Sequence, residues 1–146
     1  MNNYFLLGID YGQKKSGLAI GQSITKSCRP LKIIYNNLLD EIEKAVLEWD
    51  IKIIIIGYPE YKKEGQIQKK IRLLSEEIKT RINTKIKIIL HNEALTSEMA
   101  KSKFKEMRNK GLTKKKLSDY DDISASIILQ SWINENIIFM SKSNDP

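Results

Sequence analysis

At 146 residues the chain is the length of one domain, able to bury roughly 68–70% of its unfolded surface in a single core. No run reaches the ~18 apolar residues of a membrane span. The one cysteine, Cys28, excludes an intrachain disulfide and a four-cysteine zinc site, and the N-terminus lacks the basic stretch of a signal peptide. These features point to a cytoplasmic protein, and 25 Lys and Arg against 18 Asp and Glu, net +7, point to a polyanionic partner.

The first element is an extended run from Tyr4 to Asp10, ending in Leu6-Leu7-Gly8-Ile9-Asp10-Tyr11-Gly12. A carboxylate where an apolar strand runs out, flanked by glycines, suits a metal ion or a phosphate better than it suits stability, because glycine lets a ligand approach the main chain. Gly12 to Gly17 reads as a hairpin turn into a second strand, Leu18 to Ser23, and Leu31 to Tyr35 forms a third. Asn36 or Asn37 then caps a helix with Leu38, Ile42, Val46 and Trp49 on one face.

Ile51 to Gly57 is almost wholly apolar, as expected of a central strand covered on both sides. After Pro59 and Gly65 comes a second amphipathic helix striped by Ile67, Ile71, Leu74, Ile78 and Ile82. Lys85 to His91 is the next strand, Ser97 to Asn109 a third helix, and Asp121 to roughly Asn136 the last. Residues 1–138 form a single domain and 139–146 a polar tail.

Three meandering strands followed by strand–helix alternation imply an α/β fold, a mixed five-stranded sheet with helices on both faces, in the element order of the ribonuclease-H-like fold. Sites in such sheets form beyond the carboxyl ends of neighbouring strands. Asp10 and Glu93 both lie at such ends, and Asp121 opens the last helix.

Two bare carboxylates about 4 Å apart repel by roughly 1 kcal/mol in water and about 4 at an effective ε of 20, so three together need a cation. Hard oxygen donors, with His91 the one histidine in the chain, favour two Mg²⁺ or Mn²⁺ ions acting on a phosphodiester. Lys14 and Lys15 follow Asp10 and suit the flanking phosphates. The run Lys101–Lys116, eight basic residues to one acid and including Lys114 and Lys115, suits the rest of the strand.

Structural alternatives stand beside each assignment. Asp10 is also a turn former, Glu93 a first-turn charge of the helix capped by Thr96 or Ser97, and Asp121 a member of the capping cluster Ser118, Asp119, Asp121 and Asp122. His91 reads as a strand-end residue, and Tyr11, Trp49 and Trp132 as packing groups.

The segment Gly8-Ile9-Asp10-Tyr11-Gly12-Gln13-Lys14-Lys15-Ser16-Gly17-Leu18-Ala19 resembles the opening motif of the YqgF/RuvX family, Holliday-junction-resolvase-like proteins described as pre-16S ribosomal RNA nucleases. Ile55-Ile56-Gly57-Tyr58-Pro59, Asn92-Glu93-Ala94-Leu95-Thr96-Ser97 and the helix from Asp121 to Gln130 are similar to its later motifs. The resemblance implies a ribonuclease-H-like nuclease, with Asp10, Glu93 and Asp121 as catalytic metal ligands. It makes Gly12, Lys14 and Lys15 the substrate-side turn and pre-rRNA, or else branched DNA, the partner.

Asn92 and Ala94 depart from it, standing where the family has Asp and Arg; the second loses a fixed guanidinium suited to phosphate. The competing functions are a Holliday junction resolvase, which needs a dimer, and a non-catalytic RNA-binding assembly factor. An actin-like phosphotransferase is a further alternative. The expected state is a monomer or a weak homodimer.

Overall fold

The computed structural model describes residues 3–59, 65–82, 85–92, 106 and 121–136. Five strands, β1 (Phe5–Asp10), β2 (Ser16–Gln22), β3 (Ser27–Ile34), β4 (Ile51–Tyr58) and β5 (Lys87–Asn92), make one sheet in the order β3-β2-β1-β4-β5. β1, β4 and β5 run parallel, whereas β2 runs antiparallel to both β1 and β3. The carboxyl ends of β1, β4 and β5 and the start of β2 therefore share one rim of the sheet.

Side-chain alternation divides the core into two layers. Leu7, Ile9, Ile54 and Ile56 face α1 (Leu38–Trp49) and α2 (Gln66–Arg81), packing on Ile42, Val46, Ile71 and Ile78. Leu6, Ala19 and Ile55 face the opposite way, onto Ala125, Ile128, Leu129 and Trp132 of the last described helix, α3 (Asp121–Glu135). β4 thus contributes isoleucines to both layers, which explains its unbroken apolar run. α3 is buried nearly all round, including Ser124 and Ser126, so it carries no clean amphipathic stripe.

Several details differ from the sequence-based expectation. β2 spans Ser16–Gln22, not Leu18–Ser23, so Ser16 and Gly17 of the expected turn belong to the strand. β3 starts at Ser27, four residues ahead of Leu31, and contains Pro30. An edge strand tolerates a residue without an N–H, and the register slips there: Leu18 faces Lys32 but Ala19 faces Pro30, leaving Leu31 as a bulge. Asn37 is the N-cap of α1, but its side chain makes no cap bond; it serves by adopting a left-handed backbone, φ 59° and ψ 48°, which asparagine tolerates. β5 spans Lys87–Asn92, not Lys85–His91.

In α2, Ile71, Leu74 and Ile78 are buried as its stripe requires, with Ile67 and Ile82 at the margins. Gly65 precedes the helix, and its N–H donates to Gln68 Oε1 at 2.7 Å. The helix expected over Ser97–Asn109 lies outside the described residues except for Glu106, which is helical, and so does the tail from residue 137. Among the described residues no helix is long and apolar enough to cross a membrane.

Candidate active site

Asp10 is the last residue of β1 and pairs with Gly17 of β2. On its other side Ile9 pairs with Ile56, so Asp10 stands level with Gly57, which pairs in turn with His91. Residues paired across adjacent strands project from the same face, so Asp10 follows Leu6 and Gly8 toward α3. The N-terminus of α3 arrives at this spot: a Cβ added to Gly17 would lie 1.9 Å from the Asp121 carbonyl oxygen. Asp121 therefore rests on the bare backbone of Gly17, the strand partner of Asp10. Residues more than a hundred positions apart meet because position 17 has no side chain.

The two neighbouring acids at the start of α3 divide their tasks. Asp122 is buried, 4% exposed, and its Oδ1 accepts from the Ile123 N–H at 2.9 Å, satisfying one free amide of the first turn. Asp121 turns to Lys15, whose Nζ lies 3.3 Å from its Oδ2, with the two side chains 25% and 23% exposed. Lys15 is held in place by the turn before β2. The Ser16 hydroxyl, buried, accepts from the Gly12 N–H at 3.1 Å and donates to the Gly12 carbonyl at 3.3 Å.

At both glycines flanking Asp10 the space a side chain would take is filled by other atoms of the chain. A Cβ on Gly8 would meet Leu129 Cβ at 2.8 Å and the Ala125 carbonyl oxygen at 2.9 Å, so its bareness seats α3. A Cβ on Gly12 would stand 2.2 Å from the Lys15 carbonyl oxygen, so that glycine closes the turn and positions Lys14 and Lys15. Both serve the site indirectly, by placing its charged groups.

His91 Nε2 lies 3.1 Å from Ser131 Oγ, tying β5 to α3 as a packing residue. Trp49 packs edge-on against Phe5 at 5.5 Å, Trp132 is buried, and Tyr11 joins the α1–α2 layer. Asn92 ends β5 opposite Tyr58. Glu93, Lys114, Lys115 and Ala94 lie outside the described residues; of the rest of the expected set, Asp121 sits on Gly17, the partner of Asp10, and pairs with Lys15, while Gly12, Lys14 and Lys15 line one cleft. Among the described residues no three potential metal ligands cluster. The donors present are carboxylate oxygens, with the nearest imidazole engaged by Ser131; that chemistry fits a hard divalent ion over zinc.

One feature escaped the sequence reading. A cleft of about 280 Å³ runs between the Tyr11–Ser16 turn and the Ile34–Leu38 connection, with Tyr35, 58% exposed, among its lining residues. Its signal, an aromatic at a strand end followed by Asn36 and Asn37, is the same one that marks a helix cap.

A family model described as RuvX, Holliday junction resolvase, matches residues 4–135. A protein of Francisella tularensis subsp. tularensis named "Putative pre-16S rRNA nuclease" is 31% identical over 137 residues, covering 90% of this chain and 97% of that one. A protein of the same name from Shewanella denitrificans is 34% identical, covering 89% and 94%. Among solved structures, T. thermophilus RuvC in complex with a Holliday junction substrate superposes with a TM-score of 0.56 at 9% identity, covering 92% of this chain and 96% of that one. The fowlpox virus Holliday junction resolvase gives 0.53 at 17% identity, covering 90% and 98%. At such identities these two structures establish the shared fold, the one expected from the element order.

Proposed function

Because the chain belongs to the RuvX family, a family of nucleases, we propose that it is a divalent-metal-dependent hydrolase of phosphodiester bonds that processes the 5′ end of pre-16S rRNA. The observation that carries this reading is the seating of Asp121 on Gly17, beside Asp10, at the carboxyl-end rim of β1 and β4. The names of the relatives support the RNA substrate, and the +7 charge supports a polyanion.

Asp10 and Asp121 are the proposed ligands from β1 and α3, and Glu93, one residue beyond the end of β5, is the third. When bound, a pair of Mg²⁺ or Mn²⁺ ions would polarise the phosphodiester and lower the pKa of the attacking water. Lys15 offsets the charge of Asp121 and is placed to meet a phosphate oxygen as substrate enters. Lys14 holds a flanking phosphate, and Lys114 and Lys115 hold the strand further on. Ala94 leaves the site without the family's guanidinium, which slows the reaction without moving its place.

The test is cleavage of a precursor rRNA fragment with Mn²⁺ by the wild type and Glu93→Gln. Loss of cleavage in a folded variant is expected, and wild-type rates would remove Glu93 from the site. A resolvase activity is the second reading, favoured by the likeness to a RuvC–junction complex. It requires two sites facing each other in a dimer, so a monomer that cleaves rRNA but not a four-way junction would reject it.

A further inference from the structure

The cleft between the β1–β2 turn and the β3–α1 connection adjoins the carboxylates through Tyr11 and Lys15. We propose that it is a subsite for one unpaired nucleotide of a nucleic-acid strand, with Tyr35 as the platform on which the base stacks. The proposal rests on the nuclease reading only for which nucleotide enters, the one flanking the cleaved phosphate.

Size limits the occupant first. About 280 Å³ is close to the roughly 300 Å³ lower bound of small-ligand pockets, enough for a base with part of its sugar but not for a base pair. Chemistry narrows it further. The lining brings Lys14 and the chain of Lys15, whose ammonium pairs with Asp121, three side-chain amides, Gln13, Asn36 and Asn37, and the rings of Tyr11 and Tyr35, and it contains no carboxylate. Amides present a donor and an acceptor together, as the edge of an unpaired base requires. The amide of Asn37 is available for this because it makes no capping bond to α1.

The acids that follow on α1 are already engaged. Asp40 pairs with Arg81 and Glu41 with Lys32, and the Lys32 hydrogen bond holds the Glu41 carboxyl below the usual carboxylate range. The cleft therefore keeps a positive field. A tyrosine ring 58% exposed beside lysines is the arrangement that single-strand binding surfaces use, since every base offers a π-face.

Position links the two sites. Tyr11, which lines the cleft, is the residue after Asp10. Lys15 belongs to both sites, because its ammonium contacts Asp121 and its chain lines the cleft. A strand whose phosphate lies at the carboxylates and crosses the Gly12–Ser16 turn would deliver its next nucleotide to Tyr35. A paired nucleotide cannot enter, so the subsite selects single-stranded flanks.

The test is binding of a 5′-labelled single-stranded RNA and of the matching duplex, followed by fluorescence anisotropy in EDTA at fixed salt. Tyr35→Ala should weaken single-strand binding about 5- to 150-fold, Tyr35→Phe should restore it to within about two-fold, and duplex binding should change little. Unchanged single-strand binding by Tyr35→Ala would overturn the proposal, as would equal losses on single strand and duplex. An unchanged melting temperature checks folding, and the exposure of Tyr35 makes that the expected result. No cleavage occurs in EDTA, so failure of the nuclease reading shows up separately, as a wild type inert with Mn²⁺.

Discussion

Replacing Gly17 with alanine should damage stability and catalysis together, through a single steric contact. The new Cβ would sit 1.9 Å from the Asp121 carbonyl oxygen, 2.1 Å from its carbon and 2.6 Å from the Asp122 nitrogen. All three are backbone atoms, so no rotamer change relieves the clash. Reaching the 3.0 Å floor for a Cβ contact requires the start of α3 to retreat by at least about 1.1 Å. Overpacking of this kind costs about 1–3 kcal/mol, which at roughly 2–4 °C per kcal/mol lowers the melting temperature by about 2–12 °C.

The same retreat moves Asp121 away from Asp10, and a 1 Å misplacement in a reacting constellation costs roughly 100-fold in rate. Gly21→Ala is the matched control. Its Cβ would meet Leu129 Cδ2, a movable side-chain atom, at 3.1 Å, and Cys28 Cβ and the Ser27 carbonyl oxygen at 3.3 Å, contacts that need a shift of only a few tenths of an ångström. The gain of about 0.5–1 kcal/mol for alanine over glycine in a strand offsets the squeeze. Thermal melts and single-turnover cleavage with Mn²⁺ on both variants decide it. A Gly17→Ala protein that melts and cleaves like the wild type would refute the steric coupling of α3 to the site.

Other perturbations follow from single contacts. Lys15→Met removes a cation 3.3 Å from Asp121. Coulomb attraction there is about 5 kcal/mol at an effective ε of 20 and about 1.3 in water; partial exposure puts the net value nearer 1 kcal/mol. Calorimetry should show Mn²⁺ binding about five-fold tighter while cleavage slows, and weaker Mn²⁺ binding would mean the ammonium does not compete with the metal. Ile55→Ala empties a position wholly buried between the sheet and α3; a loss of about 2–5 kcal/mol in urea unfolding is expected, and a loss under 1 kcal/mol would place Ile55 outside the core. Arg81→Gln breaks exposed pairs with Asp40 and Glu43; the urea midpoint should stay at the wild-type value because exposed pairs contribute little, and a clear drop would reveal a network.

What the sequence displays depends on how far each determinant reaches. The apolar run of β4 and the carboxylate at the end of β1 are local patterns, so both strands and Asp10 were legible. β3 was read four residues short because Pro30 signals a break, and only its edge position and bulge make it acceptable. Gly8 looked like an opening for a ligand, since nothing near it in sequence reveals that Leu129 fills the space. Asp121 and Asp122 are chemically equivalent neighbours, and helix phase alone separates the residue turned to Lys15 from the one bonded to Ile123. The Tyr35 cleft arises where two turns meet, which no window along the chain contains.

The central claim is that Asp10 and Asp121 act as one metal-dependent site. Its most direct test is Mn²⁺-dependent single-turnover cleavage of a precursor rRNA fragment by Asp10→Asn, Asp121→Asn and the double variant, with circular dichroism confirming folded protein. Residues acting as a unit are strongly non-additive. Each single variant should therefore lose roughly 10²–10³-fold, the scale of removing one preorganised electrostatic group, and the double variant little beyond that. Cleavage near the wild-type rate by either folded single variant would contradict the claim.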